Sequence, residues 1–133
     1  MIMVDASGTL LAVHTDSASP AEVKLVQDTL DASFGLDFPK RLIGDKAYDS
    51  DGLDADLAQI GTLMIAPNRK NRKHKTQDGR PLRRYKRRWK VERTIAWLQS
   101  FRRVRTRDEH KAQHFLGFVQ LACILMLLRR ISG

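Results

Sequence analysis

Residues 40–50 read Lys-Arg-Leu-Ile-Gly-Asp-Lys-Ala-Tyr-Asp-Ser, and this stretch decides the fold. Lys40 to Gly44 is a short apolar run of the kind that forms a strand, and it delivers Asp45 at its C-terminal end. Downstream, Ser50 to Ile60 carries Leu53, Leu57 and Ile60 at spacings of four and three, the period of a helix, with Gly61 as its stop. Thr62 to Ala66 is a further strand, closed by Pro67. Upstream, Ile2 to Val4 and Thr9 to His14 flank the turn residues Ala6-Ser-Gly8 and read as an antiparallel hairpin. Ser19-Pro-Ala-Glu22 combines a cap residue, proline at the first helical position and an acid three residues after the cap. A helix is expected from there through Val23, Leu25, Val26 and Leu30, stopping near Gly35.

Beyond Pro67 the pattern changes. Residues 69–84 have no apolar periodicity and contain the breakers Asp78-Gly79 and Pro81, which makes them a basic loop. Tyr85 to Val104 reads as one long amphipathic helix and His110 to Ile131 as a final apolar helix, so residues 85–131 form a C-terminal helical segment. The order ββαβαβ, basic loop, αα implies an α/β domain over residues 1–133, with a sheet of mixed direction and flanking helices.

Composition removes several classes of function. At 133 residues with 42% hydrophobic and 29% charged side chains, the chain is neither disordered nor fibrous. Its single cysteine, Cys123, lies in the apolar run Leu121–Leu128, which excludes a disulfide framework and a cysteine metal cluster and suits a buried small hydrophobe. Met1-Ile-Met-Val-Asp5 lacks the basic and apolar regions of a signal peptide, and the longest apolar segment falls short of the roughly 20 residues of a membrane helix. A cytoplasmic protein with no membrane partner is expected.

The net charge of +9 conceals a division. Up to Ala66 there are four bases against eleven acids, a balance of −7; beyond it there are twenty bases against four acids, a balance of +16. Residues 69–90 alone hold twelve Lys and Arg and one acid, Asp78, a density suited to a polyanion. Within that segment Arg69, Lys70, Arg72, Lys73, Arg83 and Arg84 are candidate phosphate contacts.

Two carboxylates stand out. Asp45 sits where open α/β sheets present reactive groups, although an aspartate there also caps the following turn. Glu92 is the only acid between Arg80 and Arg107, on one helical face with Tyr85, Arg88, Ala96 and Gln99; an ion pair with Arg88 would also account for it. Val91, Ile95, Trp97, Leu98 and Phe101 are left for packing, and Trp89 and Trp97 read as core anchors. Asp49, Asp51, Asp54 and Asp56 read as the solvated first turns of the next helix.

Together, Leu42-Ile-Gly-Asp-Lys-Ala-Tyr-Asp-Ser50, Arg87-Arg-Trp-Lys-Val-Glu-Arg-Thr-Ile-Ala-Trp-Leu98 and Phe101-Arg-Arg103 resemble the C-terminal portion of a DDE transposase of a bacterial insertion sequence. The resemblance implies an RNase H-like domain in which two Asp and one Glu hold two Mg²⁺ (or Mn²⁺) ions for cleavage and strand transfer of DNA. It implies that Asp45 is the second Asp and Glu92 the Glu, both metal ligands. It also implies that Tyr85 and Arg88 contact DNA phosphate, while Gln99 departs from the lysine that ends the family's Tyr-x2-Arg-x3-Glu-x6-Lys signature. DNA ends and target would be the partners, with a homo-oligomer as the active complex.

Asp5 is the local candidate for the first Asp. The RNase H-like fold that the resemblance implies needs three strands before its first helix and only two fit before Ser19; in that family a segment like Val4 to Gly8 corresponds to the hairpin between the second and third strands. The first central strand and its Asp are therefore expected to be missing, and with them complete two-metal coordination. The chain is expected to be an N-terminally truncated or split-frame form that does not cleave DNA alone. A catalytically inactive DNA-binding remnant is the rival reading.

Overall fold

The hairpin forms as its sequence suggests, with one irregularity that decides which side chains enter the core. In the computed structural model, which describes residues 1–16, 22–33, 37–75 and 82–133, β1 (Ile2–Val4) pairs antiparallel with β2 (Leu10–Val13). The register pairs Ile2 with Val13, Met3 with Ala12 and Val4 with Leu10, leaving Leu11 as an extra residue. Such a bulge shifts the alternation of faces, so Leu10 and Val13 lie on the same side despite their spacing of three. The turn is closed by Asp5, whose Oδ1 accepts from the amides of Ser7 and Thr9, both at 2.8 Å, and from Ser7 Oγ at 2.6 Å. Gly8 adopts φ +83°, the left-handed region that favours glycine.

The chain divides into two compact units. The first comprises residues 1–20, 24–34 and 90–133. Its elements are the hairpin, α1 (Leu25–Asp31), α3 (Trp89–Leu98, from Lys90 on), α4 (Arg102–Arg105) and α5 (Ala112–Ser132). One face of the hairpin joins Leu98, Val119, Ala122 and Cys123 in a core bordered by Phe101, Val104, Phe115 and Met126. The hairpin pair Met3 and Ala12 is also buried, and α1 packs on β2 with Val26, Thr29 and Leu30 buried. Burial pushes the Cys123 thiol up to about 11. Cys123 is therefore expected to resist a thiol-specific reagent near pH 8 and to react on urea unfolding; rapid titration in native buffer would contradict this packing.

The second unit comprises residues 21–23 and 35–89. Here β3 (Arg41–Ile43) and β4 (Leu63–Ile65) pair in parallel, joined through α2 (Asp51–Gln59), with Leu42 opposite Met64 and Ile43 opposite Ile65. Ser50 caps α2 by accepting from the Leu53 amide at 3.4 Å, and Gly61 at φ +75° ends it. Leu53 and Leu57 face the strands and are buried with Met64 and Ile65.

Several expectations are corrected. The long helix expected over Tyr85 to Val104 is three pieces: a 3-10 segment Arg83–Arg88, then α3, then α4 after a break. At the break Ser100 Oγ donates to the Trp97 carbonyl at 2.7 Å and the extended Phe101 turns its ring toward the core. The helix expected from Ser19 is a 3-10 turn, Glu22–Lys24, followed by α1; its cap and Gly35 lie outside the described residues, as do Asp78, Gly79, Arg80 and Pro81. Among the described residues the strands form two two-stranded sheets rather than one sheet of four. The final helix has close to the extent expected, but the expectation that the longest apolar segment falls short of a membrane helix is corrected. α5 has 21 residues and mean hydropathy 1.7 over its most apolar window, long and apolar enough by those measures to cross a membrane. Of that helix, Val119, Ala122 and Cys123 are buried against the hairpin.

Candidate active-site turn and nucleic-acid surface

Asp45 follows β3 after one intervening residue, Gly44, whose backbone passes close to two side chains. A Cβ at Gly44 would lie 2.5 Å from Met64 Cε and 2.6 Å from a Tyr48 ring carbon, so any larger residue displaces both. Beyond it, Asp45 caps the 3-10 turn Lys46–Tyr48, its Oδ1 accepting from the Ala47 amide at 2.7 Å. The capping reading of Asp45 therefore holds. It does not exhaust the side chain, since the turn uses Oδ1 of a two-oxygen, partly exposed carboxylate. Beside it, burial, the negative charges of Glu22 and Asp45 and a hydrogen bond with Glu22 push the Tyr48 hydroxyl up to about 12. Tyr48 is thus a neutral donor at physiological pH.

The start of the basic loop is bound to this turn. Asp49 is buried, accepting at Oδ2 from the Arg69 amide at 2.7 Å and at Oδ1 from the Arg72 guanidinium, which also pairs with Asp51. Arg69 donates from Nε to the Lys46 carbonyl at 3.2 Å and from Nη2 to the Ala47 carbonyl at 2.7 Å. Reading Asp49 as a solvated first-turn acid is thus corrected: it is the acceptor that fixes the loop. Arg69, though exposed, and the half-buried Arg72 use their guanidinium groups in hydrogen bonds within the protein, whereas Lys70, Lys73, Arg83 and Arg84 are exposed. Asn68 Oδ1 is buried without a hydrogen-bond partner at the same end of the sheet. Burial first, and then the charges of Asp49 and Asp51, raise the Asp54 carboxyl above its usual value against the opposing charge of Arg72.

Tyr85 and Arg88 lie in the 3-10 segment, where positions three apart eclipse one another, and the Arg88 guanidinium sits 5.2 Å from the Tyr85 ring centre. Glu92 is exposed in the first turn of α3. That helix is anchored to the hairpin turn by Thr94 Oγ1 on the Gly8 carbonyl at 3.2 Å and Lys90 Nζ on the Ala6 carbonyl. It buries Thr94 and, as expected, Leu98, but Ile95 is exposed and Trp89 and Trp97 are each 50% exposed, so neither tryptophan is a core anchor. Arg93 lies 5.2 Å over the Trp97 ring, and both line a groove of about 510 Å³ with Phe101, Arg129 and Arg130. Sequence periodicity missed this cationic, aromatic face because Thr94, a polar residue, occupies the buried position.

The profile of the transposase DDE domain matches residues 1–127. The chain belongs to the transposase DDE domain family. It is 33% identical over 133 aligned positions to a Burkholderia cepacia protein named as a transposase for insertion sequence element IS402, an alignment that takes in 94% of this chain. It is 36% identical over 97 positions to a Brucella ovis protein named as a transposase for insertion sequence element IS6501, covering 71% of this chain and 72% of that protein. The chain spans 60% of the Burkholderia protein's length. No solved structure matches it.

Family membership agrees with the resemblance read from residues 42–50, 87–98 and 101–103. The domain is α/β with small sheets, as the fold class requires in outline. Among the described residues no three His, Cys, Asp or Glu side chains come together as a metal cluster. Asp45, after β3, offers carboxylate oxygen and Asn68, after β4, a buried amide oxygen without a hydrogen-bond partner, donors of the kind that suits a hard cation. The site chemistry therefore fits the divalent metal generally used by DDE transposases in the kind of donor it supplies.

Proposed function

We propose that this chain serves DNA transposition, as the portion of an insertion-sequence transposase that supplies the second Asp and the Glu of an RNase H-like catalytic domain. The observation that carries the reading is the placement of Asp45 at the carboxyl end of β3, with a basic segment bound to the turn it caps. Asp45 and Glu92 would be the residues holding Mg²⁺ or Mn²⁺. Such ions, when bound, activate the attacking oxygen and stabilise the leaving one in phosphodiester cleavage and strand transfer. Lys70, Lys73, Arg83 and Arg84 would neutralise DNA phosphates, and Tyr85 and Arg88 would contact phosphate near the cut end. Arg69 and Arg72 would act from beneath, since their guanidinium groups face the protein.

One observation favours the narrower reading, that this chain alone binds DNA without cutting it. Asp5 Oδ1 is committed to closing the hairpin, and hydrogen bonds from Ser7 and Thr9 outweigh burial to hold its carboxyl below the usual value. This supports reading Asp5 as a turn-forming residue, in a chain that binds DNA without cutting it. Self-association in the active complex is supported by the outer face of α5, where Phe118, Leu121, Leu125 and Leu128 repeat at spacings of three, four and three and are exposed.

The test is incubation of the 133-residue chain with supercoiled plasmid and Mg²⁺ or Mn²⁺. Salt-sensitive retardation without nicked product is expected. Metal-dependent nicking that disappears in Glu92→Gln would instead make the chain a complete nuclease, and absence of DNA binding would defeat the proposal.

A further inference from the structure

We propose that Arg69, at the head of the basic loop, is a positioning residue for the Asp45 carboxylate; this rests on the reading of Asp45 as a metal ligand. The argument turns on one peptide group. The Lys46 carbonyl and the Ala47 amide belong to the same planar unit, so fixing one end orients the other. Its N–H donates to Asp45 Oδ1 at 2.7 Å, and its carbonyl accepts from Arg69 Nε at 3.2 Å. The next carbonyl, of Ala47, accepts from Arg69 Nη2 at 2.7 Å. The planar guanidinium thus spans two successive carbonyls, a fork that a lysine ammonium cannot reproduce. A cation drawing on that carbonyl also polarises the peptide and strengthens its N–H as a donor to the carboxylate.

Arg69 is itself fixed. Its amide donates to Asp49 Oδ2, and the other oxygen of Asp49 holds Arg72. A chain of hydrogen bonds therefore runs from Asp49 through Arg69 and the 46–47 peptide to Asp45. The order inverts the simplest reading of the basic segment, in which every arginine faces phosphate: this one faces the turn that carries the carboxylate. Because Arg69 is exposed overall, its side chain can be shortened without opening a cavity.

The test uses the full chain in two measurements, amide hydrogen exchange by NMR and Mn²⁺ affinity by water-proton relaxation, on wild type, Arg69→Ala, Arg69→Lys and Asp45→Asn. Arg69→Ala is expected to speed exchange at Ala47 about tenfold while leaving β1 and β2 amides and the melting temperature unchanged. It is also expected to weaken Mn²⁺ binding about tenfold, the usual scale for losing a group that orients a ligand. Arg69→Lys should restore neither. Unchanged exchange at Ala47 in Arg69→Ala overturns the proposal. So does faster exchange with unaltered Mn²⁺ affinity, which would make Arg69 a local staple only. Unaltered Mn²⁺ affinity in Asp45→Asn is a separate failure: it removes Asp45 as a ligand, and the positioning role with it, while the Ala47 exchange still reports whether the clamp exists.

Discussion

Raising monovalent salt from about 50 to 200 mM is expected to weaken binding of this chain to duplex DNA by roughly 500-fold. The effect follows from release of counterions, which gives a slope of about −0.9 in log affinity against log salt for each phosphate neutralised. The structure narrows which bases contribute. Lys70, Lys73, Lys75, Arg83, Arg84, Lys86 and Arg87 are exposed, whereas the guanidinium groups of Arg69 and Arg72 are engaged within the protein. If about five of the exposed bases meet phosphate, the slope is near −4.5, and a fourfold rise in salt gives that loss. Fluorescence anisotropy of a labelled duplex across a potassium chloride series reads it. Lys70→Ala and Arg84→Ala should each reduce the slope by about one, uniformly across DNA sequences, and Arg72→Ala should leave the slope alone. A loss below tenfold over that range would refute phosphate neutralisation by this surface.

The distinction between these bases marks where sequence reading stops. β3, α2 and β4 were legible because each is decided locally: an apolar run, a helical period with Ser50 and Gly61 at its ends, a second run before Pro67. Asp45 was legible for the same reason, as the residue immediately after an apolar run and glycine. The partners of Arg69 and Arg72 are 20 to 23 residues away in sequence, and no periodicity links a basic loop to Asp49. Charge density therefore assigned all the arginines to one surface, although Arg69 and Arg72 are engaged in hydrogen bonds within the protein while their neighbours Lys70 and Lys73 are exposed. The same blindness affected Trp89 and Trp97. Hydrophobicity ranks a tryptophan as core, but α3 meets the hairpin turn through Thr94, which satisfies the Gly8 carbonyl, and the indoles remain outside. The kink at Phe101 was hidden as well, because apolar spacing continues smoothly through it and only the Ser100 side chain, donating to the carbonyl three residues back, marks the break.

Asp49→Ala is expected to destabilise the chain by about 3–5 kcal/mol, the cost of removing one partner of a buried ion pair. The Asp49 side chain is 3% exposed and that of Arg72 13%, so the variant leaves a guanidinium mostly out of water and the Arg69 amide without its acceptor. Asp51→Ala removes the other carboxylate of the same arginine, but Asp51 is 84% exposed, and the loss should stay within about 1 kcal/mol. Urea titrations monitored by circular dichroism separate the two variants, with unchanged slopes confirming that stability rather than the extent of unfolding has moved. The contrast is sharper than either number. Both aspartates carry one charge, both touch Arg72, and they stand two residues apart, so a mechanism based on charge alone requires equal effects. Near-equal midpoints would therefore remove the buried Asp49 as the anchor of the basic loop, and with it the reason that the loop begins against the Asp45 turn.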